Sequence, residues 1–422
     1  MINIIKTRVR GILIKTQKYT HTDNIYIFKG GFWLSLGQAM NMIILLVMSV
    51  IWARFVPKEV YGQYNYILSI AGLIAVFSLG GMEGALTPAV AKGFGKTIWP
   101  ILKTKFLWST LTVVSGCGLA IYYWINGNTI LAISFLIAGI FSPLINNFSI
   151  YLAYLSGERR FDIQAKYSIL RVILASAVSA GVIFLTKNVI FLIASYFIVN
   201  GFLHVLFYFL ALRAVPPKGG IDYKAINFGG HLSFIGILGT FAGYIDRILV
   251  FHYLGAVQLA IYSFATLLPE QINSFLKHFQ VLAIPKLAVR DEKEIKETIK
   301  KRTAILALFL IVVIGIYAIS ARFIFNFLFP SYSDSVFYSI IYSFSLLGAV
   351  AIIPGTTFVA KTKTKILYKY NIITNVFKII IMFFGLHYFG LLGMIVGLVI
   401  YRNISSLLSF IFFYEDIKKT PV

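Results

Sequence analysis

The sequence predicts an all-α integral membrane protein of twelve transmembrane helices, arranged as two similar six-helix lobes. Three observations carry that prediction. The first is composition: of 422 residues, 59% are hydrophobic and only 13% charged, with a mean hydropathy of +0.84. Soluble proteins average roughly 45–50% apolar and about 25% charged residues, so this chain has more apolar side chain than a water-soluble globule buries. The second is run length. The apolar stretches are unbroken over the roughly 20 residues that a helix needs to cross a hydrocarbon core of about 30 Å. Membrane barrel strands instead alternate over about ten residues, and with no water in the bilayer core to satisfy open backbone groups, helices are what remains.

The third observation is an internal repeat. Gly31 to Ile70 reads as a basic lead-in, an apolar run, a short junction at Tyr61-Gly62-Gln63-Tyr64, and a second apolar run. At an offset of 198 positions (262 minus 64), Gly229 to Leu268 follows the same plan, with Leu259-Ala260-Ile261-Tyr262 at the junction. Leu34, Ser35 and Tyr64 meet identical residues at Leu232, Ser233 and Tyr262, Gly62 meets the small Ala260, and Phe55 meets aromatic Tyr253. The identities are few and chance similarity of two apolar segments is the plain alternative, but one ungapped offset favours duplication. Transporters built from such repeats place their substrate sites between the halves.

Taken in order, the spans are expected at 29–53, 63–87, 102–125, 129–154, 168–186, 189–212, 228–251, 259–284, 303–321, 335–359, 366–386 and 389–413. This divides the chain into a basic N-terminal segment (1–28), an N-lobe (29–213), an inter-lobe loop (214–227), a C-lobe (228–414) and a tail (415–422). Lys6, Arg8, Arg10, Lys15 and Lys18 precede the first span with no short apolar core and cleavage site, so a removable signal peptide is not expected. Most of the 38 basic residues fall in alternate connections, and only Arg54, Lys58, Lys187 and Arg322 in the others. Positive loops resist translocation, so the chain is expected to have both termini in the cytoplasm. A formal charge of +23 therefore reflects membrane topology, and nucleic acid is not an expected partner. The longest basic connection, 285–302, contains the mixed-charge stretch Arg290 to Lys296, read either as a helix along the membrane surface or as a solvated tether.

Helix-weakening residues recur: Gly80-Gly81 and Pro88 beside Glu83, Pro143 interrupting span 4, Pro269 before Glu270, and Pro354-Gly355 breaking span 10. Proline removes a helical hydrogen bond and kinks a span. Within or near spans lie Glu83, Asp246, Arg247, Glu270, Lys277, Lys378 and Arg402. A charge at mid-bilayer costs roughly 2.5–3.5 kcal/mol on insertion scales, so most of these must face protein or a watery cavity. Each has a structural reading too: Asp246 and Arg247 as a local pair, Glu270 and Lys277 as a bridge on one face of span 8 beside His278, Glu83 as the cap of a helix break. His204 reads as a packing residue and Cys117, the single cysteine, as a small side chain in an apolar run. A cavity holding Arg247, Lys277, Lys378 and Arg402 would be net positive and attract an anionic group such as a pyrophosphate. The carboxylates Glu83, Asp246 and Glu270 would balance that charge or carry a coupling proton or sodium ion; the sequence leaves both open. No cofactor or metal is expected, since there is no HExxH, CxxC or paired Cys/His spacing, and Gly95-Lys96-Thr97 lacks the first glycine and the strand of a phosphate-binding loop.

The twelve spans with basic loops, the Arg54 to Tyr64 junction, the Glu83-bearing end of span 2 and Ser156-Gly157-Glu158-Arg159-Arg160 resemble the polysaccharide and O-antigen export flippases of the multidrug/oligosaccharidyl-lipid/polysaccharide superfamily. The resemblance covers essentially the whole chain and rests on loose motifs. It implies two MATE-like lobes in a V, alternating access across a bacterial cytoplasmic membrane, and undecaprenyl-pyrophosphate-linked oligosaccharide as substrate for O-antigen, capsule or exopolysaccharide synthesis. It also implies a polysaccharide polymerase and a chain-length regulator as partners, besides membrane lipids. Lipid II flippases of that superfamily usually have two further spans, and multidrug exporters often carry an acidic residue in the first span, where residues 30–53 have none. A transporter rather than an enzyme is therefore expected. A cation-coupled small-molecule exporter is the alternative, and a membrane-embedded glycan-transferring enzyme the third reading.

Overall fold

The computed structural model describes residues 24–289, 292–360 and 363–419. The described residues are almost entirely helical: α1 Asn24–Phe55, α2 Lys58–Ile74, α3 Gly81–Ala91, α4 Ile98–Ile125, α5 Thr129–Phe148, α6 Ile150–Gly157, α7 Phe161–Leu185, α8 Val189–Ala214, α9 Tyr223–Val289, α10 Glu292–Leu328, α11 Ser335–Ser343, α12 Ile352–Ala360 and α13 Thr364–Lys419. Ten helical stretches are long and apolar enough to cross a membrane. Two of these, Tyr223–Lys277 with 55 residues and Lys365–Asp416 with 52, are long enough to cross twice. Each reverses at a glycine with positive φ, Gly255 (84°) and Gly390 (59°), a conformation that glycine adopts at little cost. Split there, the described residues hold the twelve crossing segments expected. Gly255 follows Pro57, which precedes α2, at the repeat's offset of 198 (255 minus 57).

Several local expectations give way. Tyr61-Gly62-Gln63-Tyr64 is not a junction but lies inside α2, because the turn comes earlier, at Val56-Pro57. Pro143 does not interrupt its span: α5 runs through it and ends at Phe148. Pro354 sits inside α12, while the irregular turn is the 3₁₀ stretch Phe344–Ala351 just before it; a proline cannot donate to the carbonyl four residues back and crowds it, so the preceding turn tightens. In span 2 the left-handed residue is Leu79 (φ 52°), one position ahead of Gly80-Gly81. No separate surface helix occupies the mixed-charge connection, since Glu292 already begins α10; Arg290, Asp291 and most of the basic N-terminal segment lie outside the described residues.

Where the core sits defines the shape. One cluster of buried side chains joins the two halves at the end carrying the sparsely charged connections, including Trp52, Tyr64 and Ile193 from one half and Phe264, Phe325, Phe329 and Leu391 from the other. At the basic end the cores separate: Leu86, Ile101, Tyr154 and Tyr208 in the first half, and Ile299, Phe358 and Phe413 in the second. The two cores are thus joined at one end and separate at the other, where the start of α9 still lies on α3, with Gly229 against Met82 and Ile226 on the first-half cluster. Around the outside, side chains such as Leu185 and Ile319, both 87% exposed, form the apolar belt that a bilayer covers.

Along the seam between lobes, α2 and α3 run antiparallel to the first arm of α9, and small residues set the spacing. A Cβ on Gly62 would lie 1.9 Å from the Ala256 carbonyl oxygen, one on Gly72 2.3 Å from the Tyr244 ring, and one on Gly81 2.4 Å from the Ser233 nitrogen. Without a hydrophobic force between helices in lipid, such backbone approach is how they pack closely.

Candidate functional site

A cavity of about 790 Å³ lies within the second half. The first arm of α9 supplies the neighbours Asp246 and Arg247, and the second arm supplies Tyr262, Glu270 and Lys277, residues seven or eight apart and so on one helix face. Tyr342 comes from α11, Ser345 from the 3₁₀ stretch, Lys378 from the first arm of α13, and Tyr401 and Arg402 from its second arm. The structure therefore brings six of the seven charged residues singled out in the sequence to one cavity, while Glu83 stands apart. His278 lies outside the described side chains.

The charges are not equivalent. Glu270 accepts from the Arg402 guanidinium and from the Tyr342 hydroxyl at one oxygen, and from Asn273 Nδ2 at the other (3.4 Å). Arg402 also donates to Ser345 Oγ (3.2 Å) and lies 5.2 Å from the centre of the Tyr342 ring. Asp246 Oδ2 accepts from the Tyr262 hydroxyl at 2.6 Å, while its other oxygen is buried without a hydrogen-bond partner. Lys378 donates to the backbone oxygen of Ala242 and sits 5.9 Å over Tyr401. Lys277 is exposed on the wall.

Arg247, like the exposed Lys277, forms no ion pair or hydrogen bond with any described residue, but it stands where the two halves meet. It lines the charged cavity and also two neighbouring spaces toward the first half, of about 740 Å³ and about 300 Å³. A guanidinium offers five donors in a planar fork suited to phosphate and carboxylate oxygens. The site can therefore bind an anion where the lobes meet, with Lys378, Arg402 and Lys277 at hand.

Two polar clusters in the first half were invisible in the sequence. Glu83, in the first turn of α3, accepts from Lys105 Nζ (3.0 Å) and Ser149 Oγ (2.7 Å). Lys105 lies two turns into α4 and is 1% exposed. Beneath it Ser109 bridges Ser78 Oγ (3.2 Å) and Asn147 Oδ1 (3.0 Å). Arg171 of α7 donates to Asn200 Oδ1 of α8 (3.0 Å). His204 is buried with its ring 6.1 Å from Tyr151. Cys117 is partly exposed. Among the described residues no group of three His, Cys, Asp or Glu side chains is placed to hold a metal ion.

At the tied end the lobes are closed by polar and aromatic contacts. Lys58 pairs with Asp334 (2.7 Å) and Arg54 donates to the Phe327 oxygen (2.5 Å). Tyr61 packs on Phe264 (centroids 5.1 Å), which stacks on Tyr332 (3.8 Å).

The protein is thus a multi-pass helical membrane protein whose charged cavity is lined by its second half and borders the first through Arg247. The chain belongs to the polysaccharide biosynthesis protein family, whose model matches residues 27–287. Its fold is shared with a multidrug resistance MATE family transporter of the MOP superfamily in an inward-facing conformation, at 13% identity and a TM-score of 0.63, covering 90% of this chain and 100% of that one. It is shared too with the lipid II flippase MurJ in an inward closed conformation, at 15% identity and a TM-score of 0.65, covering 92% and 87%. A MATE transporter from Vibrio cholerae matches at 12% identity and 0.60, covering 94% and 97%. No curated protein sequence matches this chain.

Proposed function

We propose that this protein is a flippase that moves undecaprenyl-pyrophosphate-linked oligosaccharide across the bacterial cytoplasmic membrane for surface polysaccharide synthesis. The observation that carries the reading is Arg247, an unpaired guanidinium where the lobes meet, opening onto the charged cavity and onto the spaces beside it. Membership of the polysaccharide biosynthesis family supports a glycan cargo. In this mechanism the pyrophosphate enters from the basic end and settles on Arg247, with Lys277, Lys378 and Arg402 around it. The polyprenyl tail stays in the bilayer, which avoids the cost of taking it into a polar cavity. The lobes then rock so that the seam at Lys58 and Asp334 opens, with both termini cytoplasmic throughout. Binding an anion in exchange for the Glu270 carboxylate on Arg402, or loading the open oxygen of Asp246 with a proton or sodium ion, couples occupancy to rocking; Glu83 is the third coupling candidate.

The test is the sidedness of labelled undecaprenyl-pyrophosphate oligosaccharide in vesicles. Protein-dependent transfer with the glycan chemically unchanged, lost in Arg247→Gln, is the expected result. Vesicles that leave the lipid in place but expel cationic dyes under an ion gradient would move the protein to the exporters, and new glycosidic bonds would make it an enzyme.

A further inference from the structure

The space of about 300 Å³ that shares Arg247 with the charged cavity has a different chemistry. Ser142 and Asn146 of α5, Tyr196 of α8 and Tyr244 of α9 supply its polar wall, and Arg247 is its single charged residue. Several serines in this protein's helices donate to the carbonyl four residues back, as Ser69, Ser109, Ser233 and Ser263 do. Ser142 does not: its hydroxyl is buried in a residue 2% exposed and has no partner. Buried hydroxyls are ordinarily satisfied, and one that is not calls for an explanation. Asn146, one turn on, gives its amide hydrogen to the Ser142 backbone oxygen (3.0 Å), and its own oxygen has no donor among the described residues. The Tyr244 ring is seated directly on the Gly72 backbone, where a Cβ would lie 2.3 Å away.

Aromatic faces, one amide and one spare hydroxyl, with no second charge, suit an uncharged ring bearing hydroxyl groups. Its apolar face lies on the tyrosines and its hydroxyls meet Ser142 and Asn146. Small-ligand sites commonly span about 300–1,000 Å³, so this one is at the small end and holds a ring rather than a whole repeat unit. We propose that this chamber is a sugar subsite that takes one uncharged pyranose, the one attached to the phosphates held on Arg247. The inference rests on the flippase reading above and deepens it, by separating a phosphate position from a sugar-reading position.

The test uses the full-length protein in lipid nanodiscs and two probes, undecaprenyl pyrophosphate and undecaprenyl-pyrophosphoryl-N-acetylhexosamine. The unmodified protein should bind the sugar-bearing probe about tenfold more tightly, a gain of about 1.4 kcal/mol. Ser142→Ala with Asn146→Ala should abolish that preference while leaving affinity for the sugar-free probe unchanged, which also shows that the variant is folded. Gly72→Ala, by driving the Tyr244 ring into the chamber, should do the same, whereas Arg247→Gln should weaken both probes. Equal affinity of the unmodified protein for both probes, a preference that survives in the Ser142/Asn146 variant, or parallel weakening of both probes by it, each overturns the sugar subsite and leaves the flippase reading standing. Binding of neither probe by the unmodified protein overturns both.

Discussion

Glu270 on α9 and Arg402 on α13 meet across the cavity wall from 132 positions apart, and Tyr342 donates to the same carboxylate oxygen. The pair is partly open to solvent, with side-chain exposures of 37% and 24%. It makes the cavity less positive than its four basic residues suggest, because one of them already has an anion.

Removing that carboxylate should therefore strengthen anion binding. Glu270→Gln keeps the shape and the Tyr342 contact but releases Arg402 to a ligand, and should tighten binding of undecaprenyl pyrophosphate by several-fold, on the order of 1 kcal/mol for one charge in a solvated pocket. Arg402→Gln should weaken it. Titration of the probe at two salt concentrations is the check, since the gain should shrink as salt rises. Unchanged affinity in Glu270→Gln would mean that Arg402 does not meet the ligand.

The Glu83–Lys105 pair should respond unequally to its two single changes. Lys105 is 1% exposed and Glu83 35%. Glu83→Gln strands a fully buried ammonium, a loss in the range of about 3–5 kcal/mol for a broken buried pair. Lys105→Met leaves a half-exposed carboxylate that still has Ser149, so its cost should be smaller. The double variant should resemble Lys105→Met, because no buried charge remains. Thermal unfolding in detergent reads the order directly, and equal losses for the two single variants would contradict the buried position of Lys105.

This pair also marks the limit of what the sequence disclosed. Span number, the repeat and six charged residues of the cavity were legible because each is a strong departure from an apolar background. Lys105 and Arg171 were not, although both fall just inside the expected spans 102–125 and 168–186: α4 begins at Ile98 and α7 at Phe161, so these charges lie two to three turns inside their helices, where hydropathy shows only the edge of an apolar run. Partners such as Glu83 and Asn200 sit on other helices, and only the fold supplies them. Tyr342, Tyr370 and Tyr401 went unnoticed, and Tyr262 stood out only through the repeat, for the opposite reason: within an apolar run tyrosine counts as hydrophobic, and its hydroxyl shows only when the helix face is known.

At the tied end, Lys58 and Asp334 join the lobes on an exposed surface. Exposed pairs contribute only about 0.2–1 kcal/mol, so Asp334→Lys should barely lower the unfolding temperature. Facing Lys58 with a like charge should nonetheless favour the state in which this end is open. With Cys117→Ser as background, a cysteine replacing buried Tyr332 should react faster with a membrane-impermeant thiol reagent, by up to about fivefold for 1 kcal/mol. No acceleration would show that the seam does not part there.

Two glycines in α4 give a test of packing within the first lobe. A Cβ at Gly116 would come 2.5 Å from the Gly139 Cα of α5, while one at Gly118 meets nothing within 4 Å. In a helix interior alanine is favoured over glycine by up to about 1 kcal/mol, and at Gly118 that preference acts unopposed. Gly118→Ala should therefore leave thermal stability unchanged or slightly raised. At Gly116 the same methyl group must push α5 away, because the obstacle is backbone with no rotamer to turn aside, and interiors packed this tightly transmit the strain. The loss should fall within the about 1–3 kcal/mol typical of overpacking, visible as a lower unfolding temperature. Equal behaviour of the two variants would mean that α4 and α5 do not cross at Gly116 and Gly139, and that the floor under the Ser109–Asn147 network is built differently.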